Sequence, residues 1–264
     1  MMEMIGIAFE GGGAKGAYQI GVWKYIQEKN IKIDGVVGTS VGAINSAAFA
    51  MGDIDFALKM WTELSVENIV KDDGKEKNFP KEFSSDLAKD IDKLQEFFLN
   101  NKEPLDIEPM KEMIKTKIDE ELIRSKNIDL GLVTYNLSKR KLKELFLEDI
   151  EVGSLYKYII ASSYLPVFKA EKIDGDYYID GGFFNNLPIN MLVEKGYKKI
   201  ISVRLRPEEF DYSEFNNIDI IDISPDEFLG GTLDFNRENI LKNIDKGYSD
   251  GKRILSNAID TFIG

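Results

Sequence analysis

The chain has 264 residues, 43% of them hydrophobic and 30% charged, with a formal net charge of −12 and neither cysteine nor histidine. These features exclude a disulfide scaffold, a thiolate zinc site and an imidazole base, and the acidic balance argues against nucleic acid or an anionic bilayer as an electrostatic partner. The length suits one large α/β domain over residues 1–264; with no basic leader and no apolar run near the roughly 20 residues of a membrane span, the expected location is cytoplasmic.

Met4–Phe9 is short, apolar and followed by glycines, which predicts a buried strand. A glycine turn then leads into a helix over about 14–28, where Ala17, Ile20, Gly21 and Tyr25 recur at helical spacing. Asp34-Gly35 marks a turn, Val36–Gly38 a second strand, and Val41–Met51 a helix of small apolar residues. This order predicts parallel strands joined by crossover helices. Residues 52–127 are more charged and mostly helical, with turn signals at Asp72-Asp73-Gly74, Pro80, Pro104 and Pro109. Within them, Leu87–Asn100 places Leu87, Ile91, Leu94, Phe97 and Phe98 on one helical face, which reads as core packing in preference to a lid or a lipid-touching patch. Two hairpins follow, Leu130–Tyr135 with Leu142–Phe146 and Lys169–Ile173 with Asp176–Ile179, separated by a helix over about 152–163. Strands at Ile200–Val203 and Ile218–Ile223 precede a closing helix over about 237–262.

Three segments carry chemistry. Gly38-Thr39-Ser40-Val41-Gly42 fits the nucleophile elbow, in which a tight strand-to-helix turn exposes a serine and flanking glycines relieve crowding. The plainer alternative is a serine helix N-cap. Because the chain lacks histidine, any activating base must be a carboxylate, lysine or tyrosine, and Asp180, just past an apolar strand in Tyr178-Ile179-Asp180-Gly181-Gly182, is the candidate. Gly11-Gly12-Gly13-Ala14-Lys15-Gly16 opens a helix with backbone amides suited to an anion, either a phosphate or the oxyanion of a tetrahedral intermediate. It also fits Gly-x-Gly-x-x-Gly, yet Asp34 precedes the second strand where a dinucleotide site needs an acid at its end. Lys15 is read either as support for an anionic headgroup or as a solvated lysine. Asp174-x-Asp176 fails as a calcium loop, with Tyr178 and Ile179 at positions that need a ligand and a glycine.

Taken together, these segments resemble the patatin-like phospholipase family. Its motifs stand in order: Gly11 to Gly16, Gly38 to Gly42, Ala161-Ser162-Ser163-Tyr164-Leu165-Pro166, and Asp180-Gly181-Gly182 followed by Asn186-Leu187-Pro188. The resemblance spans roughly residues 4–64 and 128–206. It implies a three-layer α/β/α fold with a mainly parallel central sheet, carrying a helical insertion at about 65–127. It implies a lipid acyl hydrolase of phospholipase A type with a Ser40–Asp180 dyad, Gly11, Gly12 and Gly13 as the oxyanion hole, no cofactor and no metal or calcium requirement. The expected partner is a phospholipid or other acyl-ester lipid, met by transient contact with a membrane surface. A non-catalytic phosphate- or nucleotide-binding protein using Gly11–Gly16, and an inactive scaffold, are the alternatives.

Overall fold

A computed structural model of the chain describes residues 3–72 and 90–263. Leu87, Asp73, Gly74 and Pro80 therefore lie outside the described residues. Its strands are β1 (Ile5–Phe9), β2 (Gly35–Thr39), β3 (Asp129–Asn136), β4 (Lys141–Phe146), β5 (Lys172–Ile173), β6 (Asp176–Asp180), β7 (Lys199–Val203) and β8 (Asp219–Ile223). They form one sheet in the order β5-β6-β3-β2-β1-β7-β8, with β4 also paired to β3. The β2–β1, β1–β7, β7–β8 and β2–β3 pairs are parallel, whereas β4, β5 and β6 add antiparallel pairing at one end.

Strand alternation splits the core into two layers. Ile5, Ile7, Phe9 and Val36 face the larger layer, and Ala8, Val37 and Val133 face the smaller one. The larger layer is covered by α1 (Ala17–Glu28), α2 (Val41–Met51), α3 (Ile54–Thr62), the insertion helices and the long helix Arg237–Ile263. The helix Ile189–Glu194 covers the smaller layer through Ile189, Met191 and Leu192. A three-layer α/β/α arrangement results, as expected.

Helix α1 and the helix Arg237–Ile263 cross in close contact. A Cβ on Gly21 would lie 2.0 Å from the Ile244 carbonyl oxygen, and one on Gly247 would lie 1.9 Å from that of Tyr18. The buried Tyr18 hydroxyl donates to Asp250 at 3.0 Å across the same crossing. In the insertion, Leu94 and Phe98 are buried, and Phe98 meets Tyr164 and Tyr177 edge to face, while Phe97 stays exposed. Of the face predicted from sequence, Leu94 and Phe98 are core packing, whereas Phe97 is not buried with them. No helix among the described residues is long and apolar enough to cross a membrane.

Candidate active site

β1 and β2 end side by side, and the chain order reverses about β1, which has β2 on one side and β7 on the other. In open α/β sheets such a switch point opens a crevice beyond the carboxyl ends of the strands. The glycine loop follows β1 into this crevice and Ser40 follows β2.

Ser40 links β2 to α2 with φ +57° and ψ −126°, a conformation that L residues rarely adopt. The turn needs glycine on both sides: a Cβ on Gly38 would lie 2.2 Å from the Gly42 carbonyl oxygen, and one on Gly42 would lie 2.3 Å from that of Phe9. Ser162 braces the strained turn. Its hydroxyl accepts the Ser40 N–H at 2.9 Å and donates to the Val133 carbonyl at 2.6 Å. The Ser40 side chain makes no helix-capping bond, so the plain N-cap reading fails. It lies instead beside the Asp180 carboxyl, whose charged form it favours.

The sheet register brings these two residues together. On β3, Val133 pairs with Thr39 of β2, and the next residue, Thr134, pairs with Asp180 of β6. Strands β2 and β6 therefore meet end to end along β3, each with its last residue at the junction. Both side chains are buried, Asp180 at 3% exposure and Ser40 at 9%. Burial pushes the Asp180 carboxyl up to about 6, opposed by the neighbouring Ser40 side chain and by the Gly182 N–H. The Gly182 bond is 2.7 Å long.

The glycine loop divides in two. The Gly11 N–H donates to the Asn186 carbonyl at 3.0 Å, and the Ala14 N–H to the Thr232 carbonyl at 2.8 Å. Gly11 is thereby corrected as an anion donor, because its amide already has an acceptor. The Gly12 and Gly13 amides meet no acceptor among the described residues. Gly13 has φ +60°, and a Cβ there would lie 1.9 Å from the Thr232 carbonyl oxygen. Lys15 is not the solvated lysine allowed by the sequence: it is buried, with its ammonium 5.6 Å from the centre of the Phe228 ring.

A narrow apolar groove, open to solvent at its mouth, runs from Ser40 and Gly13 between α2, α3 and the insertion. Ile44, Trp61, Ile69, Met110, Met113 and Phe168 line it, with Leu233 and Phe235 from the segment after β8. Trp61 is oriented by its indole N–H, which donates to Asn45 at 3.0 Å. At Asp174 and Asp176, the would-be calcium ligands pair with Lys157 and Lys139.

Sequence reasoning overlooked Glu10 and saw Asn186 only as part of a motif. Glu10 is buried, and burial raises its carboxyl above the ordinary glutamate range. The only signal was position, one residue before the glycines and six after Asp180.

The patatin-like phospholipase family model matches residues 7–193. Patatin-like phospholipase domain-containing protein 6 of Homo sapiens is 27% identical over 219 residues, covering 81% of this chain and 14% of that protein. Neuropathy target esterase sws of Drosophila melanogaster is 28% identical over 208 residues, 75% of this chain and 13% of that protein. The chain thus spans only a small fraction of these relatives. Among solved structures, VipD from Legionella pneumophila superposes with a TM-score of 0.59 at 16% identity, over 97% of this chain and 67% of that one. Human GIVD cytosolic phospholipase A2, in complex with methyl gamma-linolenyl fluorophosphonate, gives 0.53 at 12% identity, over 99% and 60%. At these identities the two structures speak to the fold alone.

Proposed function

The chain belongs to the patatin-like phospholipase family, and from that premise we propose that it is a lipid acyl hydrolase working through Ser40 and Asp180. The observation that carries this reading is Ser40, held at a strained turn where the sheet register sets it beside the buried carboxyl of Asp180.

Asp180 takes the proton as Ser40 Oγ attacks the ester carbonyl. The carbonyl oxygen becomes an oxyanion, stabilised by the N–H groups of Gly12 and Gly13, a contribution on the order of 3–4 kcal/mol per well-aimed donor. Collapse expels the alcohol, which receives its proton from Asp180, and leaves the acyl group on Ser40. Water then gives its proton to Asp180 and attacks the acyl-enzyme; the second collapse releases the fatty acid and returns that proton to Ser40. These steps call for no metal ion, so activity should survive EDTA. The apolar lining of the groove at Ser40 suits hydrocarbon, and a phospholipid or similar acyl-ester lipid drawn from a membrane surface is the proposed substrate. We read residues 1–264 as one domain acting in the cytoplasm.

The dinucleotide form of the binding-protein alternative is disfavoured by Asp34. Its carboxylate accepts the N–H of Ile5 at 3.1 Å, at the start of β1 and so at the end of the sheet away from the glycine loop. A ribose cannot reach both.

The test is intact-mass detection of a fluorophosphonate adduct, a probe that needs an activated serine. The unaltered protein should gain one adduct, Ser40→Ala none, and Asp180→Asn should react far more slowly. Folded, unaltered protein that stays unlabelled would sink the hydrolase reading.

A further inference from the structure

We propose that Asn186, acting with Glu10, is a positioning pair that aims the Gly12 N–H by locking the Gly11–Gly12 peptide. The inference rests on the reading of Gly12 as an oxyanion donor. Neither residue touches the reacting atoms.

Asn186 grips Gly11 from both sides. Its carbonyl accepts the Gly11 N–H at 3.0 Å, and its Nδ2 donates to the Gly11 carbonyl at 3.1 Å. A peptide is planar and trans, so the carbonyl of Gly11 and the N–H of Gly12 point in opposite directions from one plane. Holding the first toward Asn186 fixes the second away from it. A glycine run has unusual freedom about φ and ψ, so its donors are aimed only if something outside the run holds them.

The polar bonds around this grip are complementary. The second Nδ2 proton of Asn186 goes to Glu10 Oε1 at 3.0 Å, which uses both donors of the amide. Glu10 Oε2 accepts the Leu205 N–H at 2.5 Å, so each carboxylate oxygen faces a donor. Arg206 lies 3.8 Å from Oε1 on the outer side. The Glu10 backbone is held as well, its N–H on the Val203 carbonyl at 3.1 Å and its carbonyl on the Gln19 amide at 2.7 Å.

Asn186 also reaches the other half of the site. Its Oδ1 lies 2.4 Å from where a Cβ on Gly11 would sit and 2.6 Å from where one on Gly182 would sit. Gly182 is the residue whose N–H holds Asp180. One carboxamide is therefore wedged between the loop proposed to hold the oxyanion and the turn that presents the carboxylate. A side chain at either glycine would push these two parts of the site apart.

Three variants test the proposal: Asn186→Ala, Glu10→Gln, and the exchange pair Glu10→Gln with Asn186→Asp. In the exchange pair the new amide at position 10 can donate to the new carboxylate at 186 and still accept from Leu205. The link between the two positions is restored, but the Gly11 carbonyl has lost its donor. Kinetics on a p-nitrophenyl ester should show Asn186→Ala lowered in kcat by about 10- to 100-fold, short of the 10²–10³ typical when a donor is removed outright, with KM within about twofold. The exchange pair should recover thermal stability over Glu10→Gln while kcat stays low. Recovery of kcat in the exchange pair, or a near-normal kcat in Asn186→Ala, overturns the proposal in favour of a merely structural link. Inactivity of the unaltered protein would sink the hydrolase reading instead. The grip is then judged by amide hydrogen exchange over residues 10–14: faster exchange in Asn186→Ala supports it, and unchanged protection overturns it.

Discussion

The elbow and the insertion helices meet at one groove but are built by opposite rules. Around Ser40 the chain uses glycine and positive φ, and backbone atoms lie where any Cβ would collide, at Gly38, Gly42 and Gly13. In the helix Glu108–Lys117 the same groove is walled by Met110 and Met113, flexible side chains that fill irregular space. In the first region backbone meets backbone, so these glycines admit no Cβ. The second need only exclude water around a hydrocarbon, so its side chains can vary. On the function proposed above, intolerance of sequence would mark the reaction centre and tolerance the surface that meets the acyl chain.

The largest effect is expected at Gly42→Ala. Its Cβ would meet the Phe9 carbonyl at 2.3 Å, so soluble yield and fluorophosphonate labelling should both collapse. Next comes Asp180→Asn, with loss of ester hydrolysis by about 10²–10⁴-fold, the range for a removed general base. This variant should also be more stable at neutral pH. The Asp180 carboxyl titrates near 6 when folded, against about 3.8 when free. The folded state therefore binds the proton more tightly; the stability this confers is complete below about 3.8 and is lost as pH rises through about 6. The neutral amide escapes that loss, up to roughly 3 kcal/mol. A gain in Tm at pH 7.5 that shrinks toward pH 4 would sharpen the contrast; a lower Tm at pH 7.5 would break it. In the unaltered protein, log kcat/KM should fall on acidification through about pH 6, because the base works deprotonated. At the insertion, Met113→Trp should fill the groove and shift the preference from C12 toward C4 p-nitrophenyl esters by about tenfold, one missing or extra methylene being worth about 1–3 kcal/mol. An unchanged ratio would remove the insertion from chain selection. The smallest effect belongs to Phe97→Ser on the exposed side of its helix, within about 0.5 kcal/mol by denaturant titration.

The same contrast explains what could be read from sequence. The strands, the elbow and the crossover order were legible because glycine spacing and apolar runs answer to local sterics. The helix Ile189–Glu194 was not foreseen: it is only six residues long and follows Pro188, too short for a periodicity to emerge. Asp180 was singled out from the need for a base, but what sets it near Ser40, the end-to-end meeting of β2 and β6 on β3, is a matter of register between distant strands. Gly11 misled for a related reason. Its amide resembles those of Gly12 and Gly13 in sequence, and only the fold brings the Asn186 carbonyl to it. Lys15 likewise reads from sequence as headgroup support or a solvated lysine, and only the fold shows that it is buried, with Phe228 from far along the chain nearby. Local chemistry is written locally, whereas the partners that use it up or bury it are not.

The close crossing of α1 with the helix Arg237–Ile263 bears on when the site comes into being. Thr232, whose carbonyl takes the Ala14 amide, and Ile244, whose carbonyl faces Gly21, are made more than 200 residues after their partners. Both lie beyond the stretch matched by the family model. Contacts this distant in sequence form late, because the loop that closes them must first exist. On the ribosome, the elbow and the glycine loop emerge early and remain unfinished. If the chain hydrolyses acyl esters as proposed, the site would be complete only once the helix Arg237–Ile263 has docked on α1.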